Sequence, residues 1–302
     1  MSFELKVDET LPDGLHRIAK KEMEKVCECM DGSSKGSRDE MVHEARKGLK
    51  KLRALLRLVH PGIGGKLYRR ENIAFRDISR PLTEVRDAKI LVETLDRTAR
   101  DRGARSGRLP FAKTRAELLR HQREIREEVL GKKDAFKGVD SAMKEALDRL
   151  GEWTDVRDAW SSVGKGVRQV YRRGRQARTE VIKACTVDHL HEWRKQTKYL
   201  RYQLEILRPL RPTVLRPLAG RVDRLGELLG DDHDLAMLRR EVAGDPERFG
   251  GPQAIEPLLK RIDQRRKRLE RQAMRLGDAI FNRAPDAFVR RLHSYWNDSR
   301  AG

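Results

Sequence analysis

Residues 43–53 read HEARKGLKKLR and residues 191–201 read HEWRKQTKYLR. Seven of the eleven positions are identical, at an offset of 148 residues. Around the first copy Val42, Ala45, Leu49, Leu52, Leu56 and Val59 recur in steps of three and four residues. That is the period of a helix turning one apolar seam toward neighbouring helices, not the alternation of a strand. The second copy carries the same seam as Leu190, Trp193, Thr197, Leu200, Leu204 and Leu207. Two long amphipathic helices with one pattern predict an all-α protein built from helical bundles.

One residue further on, about 100° around each helix, the side chains change character. The first helix presents His43, Arg46, Lys50, Arg53 and Arg57; the second presents His191, Arg194, Lys198 and Arg201, then Glu205 and Arg208. Lys47 and Lys195 directly follow Arg46 and Arg194. A solvated face usually mixes signs, because like charges four residues apart cost a helix about 0.2–0.5 kcal/mol per pair. Here the cations are expected to line up without acidic partners, on a shoulder that faces the groove between helices. An arriving anion would relieve the repulsion. The plainer alternative is that these are long side chains covering the edge of the core with their heads in water. The segment before the second copy repeats the arrangement. Val167, Val170, Ala177 and Val181 form a seam with Gly174 between them, and Arg168, Arg175 and Arg178 lie one step around, with Arg172 close by. Its counterpart in the first half is less regular and carries His16, Lys20 and Lys21.

Working outward, two weaker matches flank the strong one in the same order. Residues 14–21 resemble 166–173 at an offset of 152, and residues 82–87 resemble 229–234 at an offset of 147. Three ordered blocks at nearly one offset predict two homologous halves, residues 1–135 and 136–302, joined near 131–140. Two copies of one helical unit are expected to pack about a pseudo-two-fold axis, with about four long helices each. Turn-forming clusters predict loops at 31–36, 60–65, 101–110, 131–138, 209–212 and 244–252. Residues 3–7 are expected to form a short extended arm.

With 302 residues, the usual domain size of roughly 150 residues fits either two domains or two similar halves. The apolar fraction reaches about 46 % once the 23 glycines are counted, enough to build a core despite 38 % charged residues. The net charge of +20 predicts an anionic partner: polyphosphate, nucleic acid or an anionic surface. Three cysteines, Cys27, Cys29 and Cys185, cannot close a disulfide framework; they suit a reducing cytosol and read as ordinary helix residues. The N-terminus lacks an apolar signal region and no run of 18 apolar residues occurs, so neither secretion nor a membrane span is expected. Neither HE pair is followed by a histidine at the metalloprotease spacing, and no phosphate-binding glycine loop or nucleophile elbow occurs. No catalytic residue, cofactor or metal is expected. Asp231-Asp232-His233-Asp234 has the residue types of a cation site. The favoured reading is a polar patch beside the core, with Asp234 and its counterpart Asp87 pairing arginines of a neighbouring helix.

The HExRKxxKxLR repeat, the segment Tyr171-Arg172-Arg173-Gly174-Arg175 and the opening Phe3-Glu4-Leu5-Lys6 with residues 14–19 together resemble the CHAD family, the conserved histidine α-helical domain. The resemblance spans essentially the whole chain as a single module. It implies two helical bundles related by pseudo-two-fold symmetry around a basic central cavity. It also implies binding of inorganic polyphosphate, frequent association with polyphosphate granules, and no catalysis. The motif residues that carry over are His43, Arg46, Lys47, Lys50 and Arg53, and His191, Arg194, Lys195, Lys198 and Arg201. Some family members carry an added triphosphatase domain opening on ExExK. Glu4-Leu5-Lys6 falls short of that motif, and a stand-alone binding module is expected. Metal chelation by the histidines, another suggestion for the family, fits poorly beside so many cations.

Chemistry favours phosphate as well. The guanidinium fork matches phosphate oxygens and the lysine amine is a compact point charge. Aromatic residues make up only 5 % of the chain, few for a base-stacking platform. The leading expectation is therefore a cytoplasmic polyphosphate-binding protein. The alternatives are a protein holding nucleic acid weakly through its phosphates, or an enzyme acting on polyphosphate or nucleotides.

Overall fold

The chain is described by a computed structural model covering residues 3–6, 8–33, 35–100, 111–130, 136–153 and 156–301. Among these residues it forms ten α-helices, two short 3-10 turns and no strand. The first half contributes α1 (Leu11–Asp31), α2 (Arg38–Ser79), α3 (Pro81–Arg100) and α4 (Ala112–Leu130); the shorter α5 (Lys137–Asp148) lies just past the 135/136 boundary read from the sequence, yet packs on α1 and α2. The second contributes α6 (Ser161–Lys183), α7 (Val187–Leu207), α8 (Pro212–Gly244), α9 (Pro252–Phe281) and α10 (Pro285–Ala301). Local chemistry sets several starts. Ser37 and Glu40 form a reciprocal capping box at the head of α2. Thr10 and Thr186 accept backbone hydrogen bonds at the heads of α1 and α7. Prolines open α3, α8, α9 and α10, where the missing N–H has no helical partner to lose.

The two halves run in the same order. α1 packs on α2, α2 on α3 and α3 on α4, and in the same way α6 packs on α7, α7 on α8 and α8 on α9. Across the halves α2 packs on both α6 and α7, and α3 on α8. α5 covers α1 and α2, and α10 covers α6. The two HE-bearing helices, α2 and α7, therefore sit side by side in the middle of the molecule. Their seams are the core: the six residues read from the first copy are at most 1 % exposed, and the six from the second at most 3 %. The other flank of α2 is covered by α1. There Gly48 and Leu55 are buried. Glu44 accepts from Lys25 at 2.6 Å, and Lys51 donates to Glu22 at 2.8 Å. The α2–α6 contact leaves no room for a side chain at Gly166, where a Cβ would stand 2.2 Å from the Leu58 carbonyl oxygen and 2.5 Å from that of Arg57.

Three local expectations are revised. The 60–65 loop is instead a kink inside α2: Pro61 lies within the helix and Gly64 takes φ 74°, ψ 164°. Only glycine adopts that turn without strain, and packing on both sides lets the helix resume. Cys185 is not helical. It is exposed in the three-residue link between Ala184, already extended, and Thr186, the cap of α7. The break at Ser79–Pro81, which splits what reads as one basic helical stretch, has proline chemistry behind it and carried no glycine signal. The expected 101–110 loop lies outside the described residues, as do residues 131–135 of the expected junction. The described residues of the N-terminal arm, 3–6, dock on α7. Leu5 N–H donates to the Ile206 carbonyl at 3.0 Å, and the Phe3 ring meets Tyr202 edge-on. Among the described residues, no helix is long and apolar enough to cross a membrane.

Candidate anion-binding site

Because the seams of α2 and α7 point into the core, the residues one step around face the space those helices share with α3 and α8. That space is a cavity of about 630 Å³. It is lined by His43, Arg46, Lys47, Lys50 and Arg53 from α2 and by His191, Arg194, Lys195, Lys198 and Arg201 from α7. All ten residues of the duplicated motif thus meet on one surface. α3 adds Arg86 and Asp87, and α8 adds Asp231, His233 and Asp234. Tyr199 and Tyr202 complete the α7 wall.

The cations are not uniformly without acidic partners, which corrects the sequence expectation. Lys47 and Lys195 each pair with the glutamate that follows the motif histidine on their own helix, Glu44 and Glu192. Arg201 pairs with Asp223 of α8 at 2.9 Å. Arg53 donates to Asn72 at 3.3 Å, and Arg46 donates to the Leu82 carbonyl at 3.0 Å while standing 3.8 Å from Asp87. Lys50, Arg194 and Lys198 make no ion pair within 4.0 Å among the described residues. The Arg194 Nε is buried without a hydrogen-bond partner among the described residues.

Burial and repulsion act on these groups together. Desolvation, then Arg46, Arg194 and Lys198, push the Lys50 amine down to about 7. Burial and the neighbouring Arg194 lower Lys198 in the same way. His43 and His191 are lowered, first by burial and then by Arg86 and Arg194 respectively. His233 packs against His191, with Nδ1 atoms 3.4 Å apart, and burial with Arg194 brings it down to about 3. The histidines are therefore neutral donors and acceptors near pH 7. Burial raises Asp87 and Asp234, opposed by Arg46 and Arg194. The cavity holds more positive charge than it can comfortably keep, and an anion would restore protons and relieve repulsion.

Not every predicted site residue reaches this space. Arg57 stacks over the Tyr199 ring at 4.0 Å and donates to the Arg53 carbonyl and Asn72, just behind the cavity wall. Arg168, Arg172 and Arg175 line a separate concavity of about 470 Å³ with Pro285 and Asp286, and Arg168 pairs with Asp286. The α6 seam packs on α2 and α7, which turns its shoulder toward α9 and α10: Tyr171 donates to the Ile280 carbonyl and Arg178 pairs with Asp278, both on α9, while Arg168 reaches Asp286 on α10. Lys20, near Glu24, and Lys21 lie on α1 and do not line the cavity. Sequence reading passed over Arg86, Arg97 and His233 as neighbours of the motif. The alignment of residues 82–87 with 229–234 was the signal that could have placed Arg86 and His233 there.

Within the acidic cluster, Asp232 turns away and clamps Arg266 with two hydrogen bonds of 2.9 and 3.3 Å. Asp231 holds Arg97 at 3.0 Å, and Asp234 lies 3.6 Å from the same guanidinium. Among the described residues no three His, Cys, Asp or Glu side chains gather closely enough to hold a metal ion.

The model of the CHAD domain matches residues 17–243. No curated protein matches the sequence. Among solved structures, the crystal structure of the CHAD domain from the plant Ricinus communis superposes with a TM-score of 0.56. The match covers 97 % of this chain and 95 % of that one at 19 % identity, which is a likeness of fold.

Proposed function

The chain belongs to the CHAD family, and from that premise we propose that it binds inorganic polyphosphate, non-catalytically, in the cavity between α2, α3, α7 and α8. The family is linked to polyphosphate binding. The observation that carries the reading to this chain is the convergence of both motif copies on one cavity whose Lys50, Arg194 and Lys198 have no ion-pair partner among the described residues. A phosphate chain offers regularly spaced oxygens to guanidinium and ammonium groups alike. It asks for no base pockets, and Tyr199 already carries Arg57 on its ring. We read residues 1–135 and 136–302 as two copies of one helical unit, each supplying one wall of the site. The protein is cytoplasmic in this reading and sits at polyphosphate granules.

Titration with polyphosphate of defined length against RNA at equal phosphate concentration tests the reading. Polyphosphate is expected to displace RNA, and RNA to fail in the reverse direction. RNA winning that competition would favour a nucleic-acid-binding protein working through phosphate contacts alone. Both ligands share a steep loss of affinity with salt, since counterion release drives both. Incubation with polyphosphate and magnesium, followed by a sizing gel, is expected to leave chain length unchanged. Shortening would make the protein an enzyme.

A further inference from the structure

Asp87 and Asp234 hold corresponding positions in the two halves, 147 residues apart. Both line the cavity from opposite elements, α3 and α8. Elsewhere in this chain carboxylates grip arginines tightly: Asp232 holds Arg266, Glu71 holds Arg149 and Asp96 holds Arg115, each through two hydrogen bonds of 2.8–3.3 Å. The cavity pair does not. Asp87 stays 3.8 Å from Arg46, whose short hydrogen bond goes to the Leu82 carbonyl. Asp234 stays 3.6 Å from Arg97, whose short hydrogen bond goes to Asp231. Neither carboxylate makes a hydrogen bond among the described residues, and their side chains are 37 % and 17 % exposed. Arg194 interacts with both carboxylates, which help to keep it charged, and its Nε has no hydrogen-bond partner among the described residues. Asp87 faces Arg46, Lys50, Arg86 and Arg194, and Asp234 faces Arg86, Arg97, Arg194 and Asp231.

A carboxylate that is close, loosely held and open to the cavity occupies the electrostatic place of a phosphate without locking the cation it faces. We propose that Asp87 and Asp234 are exchangeable counter-anions of the cavity, and that they set how tightly it holds a phosphate chain. The inference rests on the polyanion reading above. An incoming chain takes over Arg194, Arg46 and Lys50, and the two carboxylates oppose it from both walls. They keep the affinity below what the same cations would give alone.

Asp87→Asn and Asp234→Asn, made singly in the full chain, test this. Burial already disfavours both charges, so the neutral amides are expected to keep the fold, checked by circular dichroism. Polyphosphate should bind about threefold to tenfold more tightly to each variant. The salt dependence should steepen by up to about one in slope, because one more cation answers to the ligand. Asp232→Asn, which releases Arg266 outside the cavity, should leave the affinity unchanged. Weaker or unchanged binding in folded Asp87→Asn and Asp234→Asn, or an unaltered salt slope, would overturn the proposal and make the aspartates positioning residues for Arg46 and Arg97. If neither variant folds, the aspartates are structural and the proposal is equally lost. A wild-type protein that binds no polyphosphate would defeat the functional reading instead. The two aspartates would then be judged with sodium sulfate, whose stabilising rise in melting temperature should be larger in both variants than in the wild type.

Discussion

In the unfolded chain the Lys50 amine keeps its proton up to about pH 10.5, and in the folded cavity only to about 7. Between those values the unfolded state binds more protons. This group therefore makes the folded protein gain stability as pH rises from 7 toward 10.5, and its full penalty is present below 7. A phosphate chain reverses the balance. In the proposed binding mode it would favour charged Lys50, so binding is expected to take up a proton and to weaken as pH climbs past 7. We expect the affinity for polyphosphate to fall several-fold between pH 7 and 9. Lys50→Arg, whose guanidinium stays charged throughout, should bind while flattening that dependence. Calorimetric titration at several pH values reads both effects, and an equal slope in the two proteins would remove Lys50 from the site. At this scale the cations were legible, because a run of like charges at helical spacing stands out in any sequence. Their short-range partners were not. Asp223 meets Arg201 only because α8 crosses α7, and no local pattern announces a crossing. The shift of Lys50 was equally hidden, since it depends on Arg194 and Lys198 from a helix 148 residues away.

Among the elements, the contact of α2 with α6 fixes how one half sits on the other, and it turns on a missing side chain. A methyl at Gly166 would meet backbone oxygens of Leu58 and Arg57, and a carbonyl cannot rotate away as a side chain can. Gly166→Ala should therefore destabilise the protein by about 1–3 kcal/mol, toward the upper end. Gly220, inside α8 with nothing within 4 Å of its Cβ position, should respond in the opposite sense. Gly220→Ala is expected to stabilise by about 0.5–1 kcal/mol through helix propensity alone. Thermal melts of the two variants compare a packing glycine with an idle one on the same protein. The sequence does not reveal which of them is packed: both are glycines inside amphipathic helical runs. The same blindness explains Pro61 and Gly64. Their chemistry reads as a loop, and Gly64 does leave helical geometry, but the break is a kink between two helical segments of α2 and not a six-residue loop. The seams of α2, α6 and α7 suffer from no such ambiguity, since apolar residues recurring in steps of three and four leave one face to bury.

For the molecule as a whole, the cavity sets stability against function. Four helices from the two halves close around cations that repel one another, so the empty protein carries a strain that the proposed ligand would remove. Replacing Lys50 and Lys198 together by Met keeps most of the side-chain volume and removes two buried like charges that lack ion-pair partners among the described residues. The double variant should melt a few degrees above the wild type in the absence of ligand. It should also lose most of the stabilisation that polyphosphate confers, which for the wild type at a hundredfold excess over Kd is about 2.7 kcal/mol. The two effects must appear together, because both come from the same pair of charges. A variant that melts lower when empty, yet is still lifted by polyphosphate as much as the wild type, would place the ligand elsewhere, and the α6–α10 concavity with Arg168, Arg172 and Arg175 would be the next surface to test. Sodium chloride at matched ionic strength separates the specific lift from screening. Salt softens the repulsion in the empty cavity without bridging its two walls.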